Sequence, residues 1–184
     1  MKVFGILILT LAVGCAEREH PAPDGRAPAP AAAWISYVDA TMGYSIRYPG
    51  SWQRATEPMS RITDPWELVS IGTAPLRWQH TDCEAFAGAA ASSMRARDVV
   101  LTVWERGDSD GAAFPARPPR FGPVADARPA GPGCGEPRGT VIHWRDFGTG
   151  DRRFHTLVRI GPDAAAQDAA RAWRVLDSLE ITPG

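Results

Sequence analysis

The amino-acid sequence predicts an α+β fold, in which a curved antiparallel sheet is flanked by helices. Three observations predict it. Short segments in which apolar and polar residues alternate, as in half-buried strands, occur between residues 34 and 161. Two of these segments are separated only by a glycine-containing turn, as in an antiparallel hairpin. Residues 162–181 have apolar residues at helical spacing, which predicts that the domain closes with an amphipathic helix.

The first half of the domain contains predicted strands and one predicted helix. The sequence WISYVD at residues 34–39 alternates, and MGYSIRYPGSW repeats the pattern at residues 42–52. Further strands are predicted over ELVSIGT, at residues 67–73, and from Asp98 to Glu105. Between them the segment CEAFAGAAASSM, which begins at Cys83, is a candidate for an alanine-rich helix that its glycine weakens.

A hairpin is predicted in the second half of the domain. Residues 139–147 (GTVIHWRDF) and 152–161 (RRFHTLVRIG) both alternate, and the turn GTGD joins them. We expect one face of this hairpin to cover the core. A symmetric loop of five residues would place His143 opposite His155 on the outer face.

The C-terminal helix is predicted over residues 162–181, PDAAAQDAARAWRVLDSLEI. Asp163 is placed to accept hydrogen bonds from the unpaired amides at its start. Ala172, Leu176 and Leu179 recur at helical spacing and are predicted to face the core.

The N-terminal residues have the pattern of an export signal. Lys2 supplies a positive start, and VFGILILTLAV supplies a short apolar core. This segment is too short to cross a bilayer core, which needs about 20 apolar residues. Residues 1–14 are therefore predicted to be a signal peptide.

The signal ends in LAVGC, which resembles the lipobox of bacterial lipoproteins, with Ala12 where leucine is usual. The resemblance implies cleavage before Cys15 and acylation of its thiol and new amino group. The lipid bilayer would then hold the exported protein on the extracytoplasmic side of the cell membrane. Ordinary secretion with cleavage nearby is the alternative. Residues 15–33, rich in proline and alanine, are predicted to be a spacer before a globular domain over residues 34–184.

Two stretches of the domain resemble the PsbP-like family. GYSIRYPGSW is similar to the family's N-terminal signature, in which a glycine-aromatic strand runs into Tyr-Pro and then a tryptophan. RAWRVLDSLEI is similar to its closing helix. The resemblance implies an α/β/α sandwich. It also implies, as in many bacterial members of the family, an envelope lipoprotein without known enzymatic activity. The family includes photosystem accessory proteins and binders of other proteins.

Composition excludes several classes of function. A formal net charge of −1 argues against nucleic acid as a partner, because binding phosphates requires a surplus of basic residues. Lys2 is the only lysine, which excludes a phosphate-binding loop, a Schiff-base lysine and a Ser-x-x-Lys pair. The motif Gly-x-Ser-x-Gly does not occur. We therefore expect a protein that is not an enzyme and has no cofactor.

Cys83 and Cys134 remain once Cys15 is assigned to the lipid anchor. Exported proteins fold in an oxidising compartment, where two cysteines most simply form a disulfide. The sequence therefore predicts a disulfide between Cys83 and Cys134.

A metal site is the alternative interpretation of this region. His80 and Cys83 have the spacing of zinc ligands, and Cys134 with His143 could complete the set. A cross-strand pair of His143 and His155 is a second candidate for binding a divalent ion.

We expect the protein to be a non-catalytic lipoprotein of the cell envelope that binds another envelope protein or component, or assists its assembly. The alternative is a metal-binding envelope protein that uses the histidines or cysteines named above. Trp66 and Trp78 lie in irregular segments beside prolines and are candidates for an exposed binding surface. Trp104 and Trp144 lie in predicted strands, where packing in the core is the expectation.

Overall fold

The structure is a computed structural model, and it describes residues 33–81, 83, 86–107, 113–130 and 134–182. Over these residues the chain forms the strands β1 (Trp34–Asp39), β2 (Tyr44–Pro49), β3 (Gln53–Arg54), β4 (Trp66–Gly72), β5 (Val99–Arg106), β6 (Arg128–Pro129), β7 (Val141–Thr149), β8 (Arg152–Ile160) and β9 (Glu180–Ile181), and the helices α1 (Gly88–Ser93) and α2 (Ala166–Asp177). The predicted signal peptide, Cys15 and the spacer up to residue 32 lie outside the described residues.

The strands form two sheets. The smaller has three strands in the order β1-β2-β9, and the larger has six in the order β3-β4-β5-β8-β7-β6. Neighbouring strands run antiparallel in both sheets. The α+β class is thereby confirmed, whereas the division into two sheets is a feature that the alternating pattern did not predict.

β5 is buried on both faces of the larger sheet. Val99, Leu101 and Val103 belong to a core cluster with residues of α2, whereas Val100 and Trp104 belong to a second cluster with residues of α1. Successive side chains of a strand point to opposite faces. The clusters therefore lie on opposite faces of the sheet, which we call the α2 face and the α1 face.

The α2 face holds the larger apolar core. Phe147 and Phe154 stack with ring centroids 5.1 Å apart, and Leu176 of α2 is fully buried in the same cluster. Ile46 of the smaller sheet is also fully buried there. Burying each such side chain stabilises the fold by about 1.5–3 kcal/mol.

α2 begins at Ala166, with Ala165 as N-cap and no capping side chain. The predicted cap by Asp163 is wrong, because the N-cap is Ala165, two residues later; the Asp163 amide donates a hydrogen bond to the carbonyl oxygen of Ala96 at 2.8 Å. The predicted burial of Leu176 is confirmed.

Arg117 covers the C-terminal end of α2. Its Nη2 donates to the carbonyl oxygens of Leu176 (3.2 Å), Asp177 (3.1 Å) and Leu179 (2.9 Å). The Asp177 carboxylate accepts a hydrogen bond from the Phe121 amide at 2.7 Å. A cation at this end satisfies carbonyl groups that lack partners within the helix.

α1 is shorter than the segment predicted as a helix from Cys83 onward. Phe86 and Ala87 have positive φ angles of 26° and 59°, so the chain turns sharply before the helix begins. A Cβ atom at Gly88 would collide with the carbonyl oxygen of Cys83. The close approach requires glycine at this position and leaves only residues 88–93 helical.

A two-residue turn at positions 150 and 151 joins β7 to β8, and its glycine has φ +61°. The predicted hairpin is confirmed, but its loop is shorter than the five residues expected. The register therefore pairs His143 with Val158 and Asp146 with His155. The prediction that His143 and His155 face each other is wrong, because His143 lies on the α2 face and His155 on the α1 face.

Arg152 links the two sheets. Its Nε and Nη2 each donate to a carboxylate oxygen of Glu105 at 2.6 Å. The same guanidinium donates to the carbonyl oxygens of Met42, Gly43 and Thr182, which lie at the end of the smaller sheet. Such charge-assisted hydrogen bonds are about twice as strong as neutral ones.

Candidate binding site

Aromatic side chains from three neighbouring strands meet on the α1 face. The register places Trp104 of β5 opposite His155 of β8, and His155 opposite Asp146 of β7. Trp144 lies on the same face as Asp146, two residues earlier in β7. Together with two loop residues these rings form what we call the aromatic cluster: Phe86, Trp104, Phe114, Trp144 and His155.

The rings of the aromatic cluster are closely packed. Trp144 stacks on Trp104 with centroids 6.1 Å apart and planes 20° from parallel. Phe86 is edge-on to both, at 5.5 Å from Trp104 and 5.1 Å from Trp144. His155 lies 5.3 Å from Trp144 and 5.1 Å from Phe114. Aromatic pairs at such spacings stabilise by about 0.5–1.5 kcal/mol beyond the burial of their area.

Trp144 is the member of the tryptophan pair that reaches solvent. Trp104 is fully buried, whereas Trp144 is 38% exposed. The prediction that Trp144 packs in the core is therefore wrong. β7 lies near the edge of the sheet, where β6 pairs with only Val141 and Ile142, so this part of β7 is less completely covered.

Asp146 fixes the orientation of Trp144. Its Oδ1 accepts a hydrogen bond from Trp144 Nε1 and lies 2.7 Å from His155 Nδ1. Burial raises the pKa of Asp146, but hydrogen bonds from His155 and Trp144 outweigh it, so this pKa lies below its usual value. The carboxylate is therefore ionised at neutral pH and holds both rings.

A groove of about 470 Å³ lies beside Trp144. Its apolar wall is formed by Ile142 and the Trp144 indole, and its charged side chains are one acid and one base, Asp126 and Arg128. We call it the Trp144 groove, lined by Asp126, Arg128, Pro129, Ile142 and Trp144. Its volume falls within the range of about 300–1,000 Å³ that is usual for ligand pockets.

Cys83 and Cys134, which the sequence predicts to form a disulfide, lie next to each other in the structure. Their sulfur atoms are at disulfide-bonding distance, and their Cα atoms are 5.0 Å apart. The Ser92 hydroxyl donates to the carbonyl oxygen of Cys134 at 3.1 Å, so the same segment is also tied to α1. His80 is exposed beside a cavity of about 20 Å³, which has room for about one water molecule.

The structure does not bring the predicted histidine ligands together. His143 is buried, accepts a hydrogen bond from the Val124 amide at 3.2 Å and packs edge-on against Trp173. Burial lowers the pKa of His143. Within the part of the chain that the structure describes, no three His, Cys, Asp or Glu side chains are grouped so that they could hold a metal ion.

Trp66 and Trp78, the predicted surface tryptophans, are both half-buried. The Arg61 guanidinium lies over the Trp78 ring, 4.3 Å from its centroid. Neither is among the large hydrophobic side chains that are exposed in the described part of the chain, which are Ile35, Val38, Val141 and Trp144.

The α1 face also buries polar groups that sequence reasoning missed. Arg159 Nε lies 3.1 Å from Glu136 Oε1, with both side chains almost fully buried, and Arg159 Nη2 donates to the Phe86 carbonyl at 2.7 Å. Glu67 accepts a hydrogen bond from the Ser70 hydroxyl at 2.7 Å, and burial raises the pKa of Glu67. The partners of Arg159 are distant in sequence, so residue spacing gives no signal for them.

Comparison of the chain with family models, curated proteins and solved structures found no match in any of the three. Neither helix in the described ranges is long and apolar enough to cross a membrane. The fold and the site define an α+β protein with two antiparallel sheets and an aromatic surface groove.

Proposed function

We propose that the protein is a non-catalytic binding module of the cell envelope, which recognises another envelope protein through the Trp144 groove. One observation carries the proposal: Trp144 is exposed, yet its indole is fixed by a hydrogen bond to Asp146 and by stacking on the buried Trp104.

The rigidity of Trp144 favours binding. A side chain that is already ordered loses less conformational entropy when a partner covers it. Tryptophan is enriched among the residues that contribute most to protein–protein affinity. The packing of Trp144 on Trp104 and Phe86 therefore prepares an apolar contact surface before any partner arrives.

The walls of the groove suit a polypeptide partner. Ile142 and Trp144 are apolar, whereas Arg128 and Asp126 are exposed and of opposite charge. An apolar centre with a charged rim is the usual composition of protein interfaces. Charges of both signs provide contacts for a partner that also carries both.

The experiment that tests this proposal compares two positions of β7. Trp144 and Val141 are each 38% exposed but lie on opposite faces of the sheet. Each is replaced in turn by a photo-crosslinking aromatic amino acid, and cells producing the full chain are irradiated. We expect a discrete adduct with an envelope protein from position 144 and none from position 141.

A second probe keeps Trp144 in place. Arg128 lines the groove and is exposed, so a crosslinker there should trap the same partner. Adding Trp144→Ala should lower the yield of this adduct about tenfold or more, as expected for a residue central to an interface. Absence of an adduct from position 128 while Trp144 is in place, or identical adducts from positions 128 and 141, would contradict the proposal.

We further propose that the protein is anchored on the extracytoplasmic side of the membrane through acylated Cys15. The lipobox-like LAVGC, the apolar segment before it and the Pro/Ala-rich residues after it support this. The test is incorporation of radiolabelled palmitate in a bacterial host. Cys15→Ser should lose both the label and membrane retention, and a variant that kept both would overturn the anchor.

We also propose that the domain is a PsbP-like α/β/α sandwich. Its support is that α1 and α2 contribute to clusters on opposite faces of the larger sheet, and that GYSIRYPGSW contains β2 and ends at the buried Trp52. Superposition of an experimental structure on PsbP-like domains tests this. A different strand order would contradict it.

A further inference from the structure

β1 is an edge strand of the smaller sheet. It pairs with β2 along its whole length, and none of the other described strands pairs with its opposite side. The Ala33 carbonyl accepts the Gly50 amide at 2.7 Å, so the backbone groups of Ala33 point towards β2. Alternate residues of an antiparallel strand direct their N–H and C=O groups to opposite sides. Those of Trp34, Ser36 and Val38 therefore point to the open side.

The open side of β1 lacks the features by which proteins usually protect an edge. Its sequence WISYVD contains no lysine and no proline, and its pairing with β2 has no bulge. The one charged residue, Asp39, is at its end. β1 also carries two exposed hydrophobic side chains, Val38 at 67% and Ile35 at 45% exposure.

We propose that β1 pairs with β1 of a second copy of this chain, antiparallel, about a two-fold axis at Ser36. The open backbone groups determine the register, since only Trp34, Ser36 and Val38 offer hydrogen bonds. Maximal overlap places Ser36 opposite Ser36 of the second copy and Trp34 opposite its Val38. The two small sheets then form one continuous sheet of β9, β2 and β1 from each copy.

The register is self-complementary in its side chains, which identifies a second copy as the occupant. Val38 lies beside Trp34 of the second copy, and Ile35 lies beside its Tyr37. Each exposed aliphatic side chain thus gains an aromatic neighbour, a favourable cross-strand combination. Asp39 meets Ala33 of the second copy, so no like charges oppose each other. An identical patch on both partners is what a two-fold interface requires.

A single cysteine tests the position of the axis. In the full chain with Cys15→Ser, the cysteine of Ser36→Cys would lie opposite the same cysteine of the second copy. Their Cα atoms would be about 5.5 Å apart, which a disulfide can span. Arg47→Cys is the matched control, because Arg47 is exposed and pairs with Ser36 but lies on β2, away from the open side. Under mild oxidation we expect a covalent dimer of twice 19.8 kDa from Ser36→Cys alone.

A charge placed in the interface tests the association itself. Val38→Lys adds the residue that commonly protects edges, at a site exposed enough to leave folding unchanged. By sedimentation, its dimer dissociation constant should rise about tenfold or more, whereas Val141→Lys, at another exposed valine, should match the unaltered chain. The proposal is overturned if the unaltered chain is monomeric at every concentration, if Val38→Lys associates normally, or if both cysteine variants crosslink equally.

Discussion

The two faces of the larger sheet are built from different chemistry. The α2 face buries apolar side chains such as Phe147, Phe154 and Leu176 completely. The α1 face buries the Arg159–Glu136 ion pair and a carboxylate-bound histidine, and it opens to solvent at Trp144. The comparison teaches that one face holds the larger apolar core, while the other also positions a surface residue.

Polar groups in a protein interior favour precise positioning. A buried polar group is costly unless it has a hydrogen-bond partner, so a buried group that has found a partner permits few alternative arrangements of the two. On the α1 face, Arg159 donates a hydrogen bond to the Phe86 carbonyl oxygen, and the Asp146 carboxylate accepts one from the Trp144 indole. Both contacts fix rings of the aromatic cluster, which an apolar core alone would hold less specifically.

The largest expected effect comes from the α2 face. Phe147→Ala removes a fully buried ring that packs on Phe154 and Phe121, and should lower the free energy of unfolding by about 3–5 kcal/mol. Trp144→Ala, on the other face, should cost about 1–2 kcal/mol through lost ring contacts. Urea denaturation measures the free energy of unfolding of both variants. Equal losses would contradict the proposed difference between the two faces.

The second expected effect comes from the buried ion pair of the α1 face. Glu136→Gln removes the carboxylate that lies 3.1 Å from Nε of the buried Arg159 and should lower the free energy of unfolding by about 3 kcal/mol. Asp168→Asn is the matched control, because its pair with Arg171 is more exposed, and should cost less than about 1 kcal/mol. If Arg159→Met in the Glu136→Gln background recovers no stability, then the unpaired charge is not the cause.

The smallest expected effect concerns Asp146. Its pKa is lowered in the folded protein, so its contribution to stability is present above the unfolded pKa of about 3.9 and is lost as pH falls through the folded pKa. Asp146→Asn should therefore cost less than about 1 kcal/mol at pH 7, because the side chain is 40% exposed, and nothing at strongly acidic pH. Denaturation at both pH values measures the difference. A cost that does not change with pH would show that the ionised carboxylate is not responsible.

Much of the fold could be predicted from local patterns. The alternation in WISYVD and in the two hairpin strands corresponds to β1, β7 and β8, and the strand predicted over DVVLTVWER corresponds to β5. The apolar spacing around Leu176 corresponds to α2. These elements are predictable because a strand or helix must direct its apolar side chains to one side or to both. The predicted start of α2 was too early, because Ala165, the N-cap, still has an extended backbone and the helix begins at Ala166.

The candidate site was far less predictable. Trp144 was expected in the core, and the groove beside it includes Arg128, which no motif singled out. A turn of two residues instead of five changes which residues face each other across the hairpin. That change separates His143 from His155 and places His155 beside Asp146.

The sequence by itself determined the α+β class, most of the strands, the closing helix and the cysteine pair that the structure brings to bonding distance. These depend on periodicity and composition, which are local properties of the chain. Only the tertiary structure decided the two sheets, the hydrogen bonds of Arg152 between them, the exposure of Trp144 and the open side of β1. The physical reason is that strand register and strand order depend on contacts between distant residues, and a shift of one position moves every side chain to the other face.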